Sequence, residues 1–328
     1  MSRYLIIVLG VSSLFSCQKE EVGNPVIMPL ELMEIPAHFP EMDIPEDNRF
    51  TQSRWDLGKR LFYDPILSLD STISCASCHK TDFAFADNLA LTDGVKGRAG
   101  FTNVPTLSNI AYHPYFTREG GVPTLEMQAL VPIQEHNEFD FNIVAIAKRL
   151  NQDPSYVTES QKAYNRDPDA FVIVRALSNF ERSLISATSK YDQYFLNEIE
   201  YSQEEKKGEE LFYSQRLGCA NCHSGVHFTD YSFKNNGLYL EYENEGRFRL
   251  TKKETDRAMF KVPTLRNVSV TSPYMHDGSL PSLESVIDHY GSGGKDHLNN
   301  SSLMKEFSLS ENEISLADNC SFPYSKVV

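Results

Sequence analysis

Two pentapeptides constrain this chain more than anything else in it: Cys75-Ala76-Ser77-Cys78-His79 and Cys219-Ala220-Asn221-Cys222-His223. Each reads C-x-x-C-H, the spacing of c-type haem attachment. Two thiols so placed reach the two vinyl groups of one haem, and the histidine that follows offers an imidazole to the iron. A thioredoxin-like pair, a zinc site or a structural disulfide also uses C-x-x-C, but none accounts for a histidine in the same place twice. The motifs lie 144 residues apart and use four of the six cysteines. They predict two covalently bound haems with His79 and His223 as proximal ligands.

The other cysteines are Cys17 and Cys320, and the sequence gives Cys320, in a polar C-terminal tail, no role. Met1-Ser2-Arg3 is a short positive start, Tyr4 to Phe15 is apolar, and Leu14-Phe15-Ser16-Cys17 resembles a bacterial lipobox. The apolar run is short for a membrane span and reads as a cleaved signal over residues 1–16, with Cys17 as the lipidated first residue of the mature chain. An ordinary signal peptide beside a chance cysteine is the plainer alternative, and both place the haems in a periplasm-like compartment. Residues 17–46, with several prolines and acidic residues, read as an N-terminal tether. The net charge of −14 disfavours nucleic acid as a partner and suits a basic electron donor.

The chain also repeats itself. Gly58-Lys59-Arg60-Leu61-Phe62-Tyr63 precedes the first motif, and Gly208-Glu209-Glu210-Leu211-Phe212-Tyr213 precedes the second. Val104-Pro105-Thr106-Leu107-Ser108-Asn109 returns as Val262-Pro263-Thr264-Leu265-Arg266-Asn267, and Pro123-Thr124-Leu125-Glu126 as Pro281-Ser282-Leu283-Glu284, both at an offset of 158 residues. The expected fold is mainly α, with two tandem cytochrome c-like haem domains and long connecting loops. Residues 47–190 form the first domain, and residues 191–328 the second with the C-terminal tail.

Periodicity predicts helices over 54–62, 125–130, 142–150, 169–185, 198–211 and 283–289. The stripe Phe171, Val174, Leu177, Ser178 and Ile185 is expected to be buried. Residues 87–103 and 227–262 lack helical patterning and are expected to wrap the haem edges.

The offset pairs Tyr290 with Pro132, Val286 with Gln128 and His276 with Arg118. An amide is a weak iron ligand and proline none, so the first haem is expected to keep its sixth position vacant or water-filled. A tyrosine phenol can bind ferric iron through oxygen. Peroxide cleavage also needs a group that moves a proton between the two oxygens. Glu138 is the best candidate; Glu135 and His136 compete, and a surface glutamate is the ordinary reading.

Longer stretches carry a family resemblance. They are Leu61-Phe62-Tyr63-Asp64-Pro65 with Leu67-Ser68, both C-x-x-C-H motifs, Asn103-Val104-Pro105-Thr106-Leu107, Leu125-Glu126-x-Gln128-Ala129-x-x-Pro132, Pro263-Thr264-Leu265-Arg266-Asn267 and Pro273-Tyr274-Met275-His276-Asp277-Gly278. Over roughly residues 50 to 295 the chain resembles the bacterial dihaem cytochrome c peroxidase/MauG family.

The resemblance implies a peroxidatic first haem whose pocket holds Gln128, Pro132 and the acid–base Glu138. Peroxidases of this group carry a displaceable histidine ligand where this chain has Val95; His113, the next histidine, belongs to another motif. The second haem would admit and store electrons, with Tyr290 as sixth ligand and Met275 as its rival. His276 would contact a haem propionate. A calcium ion between the haem domains would take Asn103 and the backbone carbonyls of Thr271 and Pro273. Relatives place a tryptophan between the haems; here Arg118 stands there, and the single tryptophan, Trp55, lies far upstream. A MauG-like tryptophan-bridged state is therefore not expected.

Together these features imply a peroxidase that reduces hydrogen peroxide with electrons from a small cytochrome c or cupredoxin. The resemblance also suggests a homodimer. The alternatives are MauG-like oxidation of a protein or organic substrate and a non-enzymatic dihaem electron carrier with two closed irons.

Overall fold

The computed structural model describes Met33, residues 35–310 and Glu313, so the expected signal segment, Cys17 and Cys320 lie outside the described residues. The described helices of the first half are α1 (Gln52–Tyr63), α2 (Cys75–Cys78), α3 (Leu125–Gln128), α4 (Leu130–Gln134), α5 (Ile143–Leu150), α6 (Pro154–Tyr164) and α7 (Ala170–Arg182). Those of the second half are α8 (Lys190–Phe195), α9 (Gln203–Tyr213), α10 (Phe248–Thr251) and α11 (Leu283–Gly291). Strands β1 (Phe233–Lys234) and β2 (Phe260–Lys261) form a short antiparallel pair with Phe233 opposite Lys261. The described part is mainly α with long loops, as expected.

The core of the first half forms where α1 crosses α7. Leu57, Leu61 and Phe62 on α1 and Ile173, Ala176, Leu177 and Phe180 on α7 are all buried, each large one stabilising the fold by about 1.5–3 kcal/mol. Gly58 lets the helices touch, because a Cβ there would lie 1.9 Å from the Ala176 carbonyl oxygen. Trp55 is part of this crossing: its indole N–H donates to Ser183 Oγ at 2.8 Å and its ring meets Phe180. Polar groups fix the next layer. Asn48 Nδ2 donates to Glu126 Oε1 at 2.8 Å, and Glu126 pairs with Arg182 at 2.7 Å, which anchors α3 on α7.

The repeat sets the seam between the halves. Asn109 and Asn267, equivalent in the offset, are both buried in the left-handed region at φ 59° and 61°. Both converge on Ser186: Asn109 Nδ2 donates to its carbonyl at 2.9 Å, and Asn267 Nδ2 to its Oγ at 2.9 Å. Two backbone bonds cross the seam in an equivalent pair, Asn103 N to His276 O at 2.9 Å and Lys261 N to Arg118 O at 2.7 Å. Beside them Arg266, with no exposed surface to its side chain, grips Asp192 with Nη1 at 3.0 Å and Nη2 at 2.8 Å.

Several expected boundaries move. The 125–130 helix divides into α3 and α4, and Pro132 has no N–H to bond the Gln128 carbonyl. The 198–211 helix starts only at Gln203, where Ser202 and Glu205 form a capping box. The shorter α8 precedes it, capped by Ser189 and Asp192. Helix α7 ends at Arg182, so the backbone changes phase and Leu184, not Ile185, enters the core. The tether is not free to residue 46: Phe39 and Met42 are buried, Phe39 packs on His227, and His38 Nε2 donates to Asp192 Oδ1 at 2.9 Å.

Candidate dihaem active site

The proximal side is built twice from the same parts. His79 Nδ1 lies 2.7 Å from the Phe85 carbonyl oxygen, and His223 Nδ1 lies 3.2 Å from that of Phe228. A carbonyl only accepts, so each Nδ1 carries the hydrogen and each Nε2 keeps its lone pair. Burial, the largest influence, lowers the pKa of both rings and keeps them neutral at pH 7. The four motif cysteines form no disulfide.

The loops that present these carbonyls are pinned by the repeated Pro-Thr. Thr106 Oγ1 donates to Ala84 O at 2.5 Å, and Thr264 Oγ1 donates to His227 O at 2.6 Å. Each bonded carbonyl belongs to the residue just before the histidine's acceptor. The neighbouring Pro105 and Pro263 carbonyls also face His79 and His223. The purpose of the repeat is not legible from sequence alone; a threonine at the same place in both copies is its signal.

The residues expected on the distal side lie on α3, on α4 and in the turn that follows. Helix α3 presents Gln128, whose Oε1 is buried with no hydrogen-bond partner. Pro132 lies one turn on in α4. Glu138 follows in a tight turn, its N–H donating to Glu135 O at 3.0 Å. Glu138 is an exposed residue, yet protein packed around its carboxyl still strips part of its hydration. Burial first and the Glu135 charge second raise its carboxyl to about 7. Glu138 is also among the charges that raise the Cys75 and Cys78 thiols, after burial, so it lies close to the attachment motif. Val95 is fully buried, and its N–H donates to Glu138 O at 2.9 Å, which locks an apolar residue beside this acid.

In the second half α11 brings Tyr290 to the other motif. Burial raises its phenol, Asn236 hydrogen-bonds it, and the nearby Cys222 and Cys219 act on it. Asn236 Nδ2 also lies 3.2 Å from Met275 Sδ. The two rival ligands therefore share one neighbour. His276 stacks on Phe260 with ring centres 4.3 Å apart, and burial lowers it to about 4.

The family profile of di-haem cytochrome c peroxidase matches residues 52–200. The methylamine utilization protein MauG of Methylorubrum extorquens is 32 % identical over 316 residues, 94 % of this chain and 89 % of that protein. This chain belongs to the di-haem cytochrome c peroxidase and MauG family. The cytochrome c551 peroxidase of Nitrosomonas europaea is 34 % identical over 242 residues, 72 % of each chain. Among solved structures, a MauG-like protein associated with microbial copper homeostasis superposes with a TM-score of 0.84 at 29 % identity, covering 88 % of this chain and 93 % of that one.

A di-haem family member carries two haems, and the residues present fit them. Each of these histidine rings keeps a lone pair on Nε2, each motif offers two thiols outside any disulfide, and Gln128 Oε1 is buried without a hydrogen-bond partner. The calcium expected at Asn103, Thr271 and Pro273 fits less well. Arg118 Nη2 donates to the Asn103 carbonyl at 2.7 Å and to its Oδ1 at 3.2 Å, so a guanidinium already serves both oxygens. No described helix is long and apolar enough to cross a membrane.

Proposed function

We propose that this chain reduces hydrogen peroxide to two waters with two electrons from a small cytochrome c or cupredoxin and two protons from solvent, at the His79 side of the molecule. The observation that carries this reading is Glu138: a reachable carboxyl raised to about 7, close to Cys75 and Cys78. Held through thioethers to Cys75 and Cys78 and to Cys219 and Cys222, the haems supply the iron at which the O–O bond is cleaved and the store of electrons. Glu138 takes the proton from the bound peroxide oxygen and returns it to the leaving oxygen, which departs as water. Gln128 orders the peroxide, and Pro132 keeps a competing ligand out. Val95 offers no ligand, so no release step precedes peroxide binding. Tyr290 ligates the second, electron-storing iron, and His276 meets a propionate. The protein works at the periplasmic face, anchored through Cys17.

Stopped-flow mixing of the doubly loaded protein with peroxide and a reduced small cytochrome c tests this. Two donors should be oxidised per peroxide, and Glu138→Gln should slow the reaction by about 100- to 10,000-fold. Absence of peroxide-dependent donor oxidation with both haems in place would overturn the proposal. A second reading, MauG-like oxidation of a protein or organic substrate, draws on Tyr290 beside Cys222 and Cys219. It predicts peroxide consumption without donor turnover.

A further inference from the structure

The seam between the halves contains two corners that the repeat makes equivalent. Under the 158-residue offset Asn103 corresponds to Lys261, His113 to Thr271 and Tyr115 to Pro273. The corner that the family resemblance assigns to calcium joins Asn103 of one half to Thr271 and Pro273 of the other. Its counterpart joins Lys261 to His113 and Tyr115. In that counterpart the cation belongs to the chain: Lys261 Nζ donates to the Tyr115 carbonyl at 2.8 Å and lies 3.1 Å from His113 Nδ1. The ammonium thus bonds, across the seam, the carbonyl equivalent to that of Pro273.

The first corner holds a side-chain cation as well. The Arg118 guanidinium donates to the Asn103 carbonyl from Nη2 at 2.7 Å and from Nε at 3.3 Å, and Nη2 reaches Oδ1 at 3.2 Å. Oxygens that accept from a guanidinium have less to give a divalent ion, and a fixed positive charge beside them repels one. Burial lowers Arg118 only to about 10, so it stays charged at neutral pH, with Glu119 and Asp277 as its neighbouring anions.

We propose that Arg118 and Lys261 together close the seam and that the folded protein binds no structural calcium. This inference concerns the joint between the halves and stands independently of the reaction assigned to Glu138. It is tested on the full holoprotein, prepared in calcium-containing buffer, desalted and measured by elemental mass spectrometry. The melting temperature and the low-temperature EPR spectrum are then compared with and without EGTA. The expected result is no stoichiometric calcium, with both readouts unchanged by the chelator. Arg118→Gln should lower the melting temperature in calcium-free buffer. One retained calcium per chain, with a melting temperature or EPR signal that moves on chelation, would overturn the proposal. So would an Arg118→Gln protein that melts at the wild-type temperature.

Discussion

His79 Nδ1 lies 2.7 Å from the Phe85 carbonyl, and this one bond decides which ring nitrogen keeps its lone pair. The carbonyl is held in place by Thr106 and Ser108, both of which donate to Ala84 O next door. Thr106→Val removes the shorter of these bonds and should cost about 1 kcal/mol of stability. It should also raise the midpoint potential of the first haem, because a more loosely held histidine is a less basic ligand. A spectroelectrochemical titration checks this, and an unchanged potential would count against the role given to Thr106.

In the proposed reaction Glu138 sets the pH dependence. A carboxyl near pKa 7 is mostly protonated at pH 6 and cannot accept a proton from peroxide. The rate of reaction with peroxide should therefore rise through about pH 7 and then level. Stability should move the other way. The folded state keeps a proton that the unfolded chain releases near 4.5, so stability falls as pH rises from 4.5 to about 7. Glu138→Gln should remove both dependences, which stopped-flow rates and denaturant titrations at a series of pH values would show.

Tyr290 and Met275 can be separated by spectroscopy. Tyr290→Phe should change the ferric EPR signal of the second haem and raise its potential, since a phenolate stabilises ferric iron. Met275→Leu should leave both nearly unchanged. The reverse pattern would assign the ligand to methionine.

Asp192 tests the buried core of the seam. Burial works against its charge, but hydrogen bonds and the charge of Arg266 outweigh this and hold the carboxyl near 2. Asp192→Ala would leave a buried guanidinium unpaired and should cost about 3–5 kcal/mol. In the wild type the part of this contribution that depends on the carboxylate charge is present above pH 3.8 and is lost as pH falls through about 2. Urea titrations of both proteins would check the difference, and a loss below 1 kcal/mol would contradict it.

The parts of this protein written within a few neighbouring residues could be read directly. Cys75, Cys78 and His79 form one chemical unit in a single turn, and so do Cys219, Cys222 and His223. The repeat in the sequence likewise announced a repeat in space. Helices with apolar stripes, such as Ala170–Arg182, also declared themselves, though Ser202 and Arg182 set boundaries that periodicity left loose. What the sequence could not decide was everything that depends on a distant partner. Glu138 differs from an ordinary surface glutamate only because folded protein crowds it and Glu135 adds its charge. Asn109 and Asn267 look like two loop residues until both close on Ser186. Arg118 stood where a tryptophan was expected, and only folding showed its guanidinium on Asn103. Proton affinity and hydrogen-bond partnership are set by the atoms that packing brings together, and in long loops those atoms come from residues far apart in the chain.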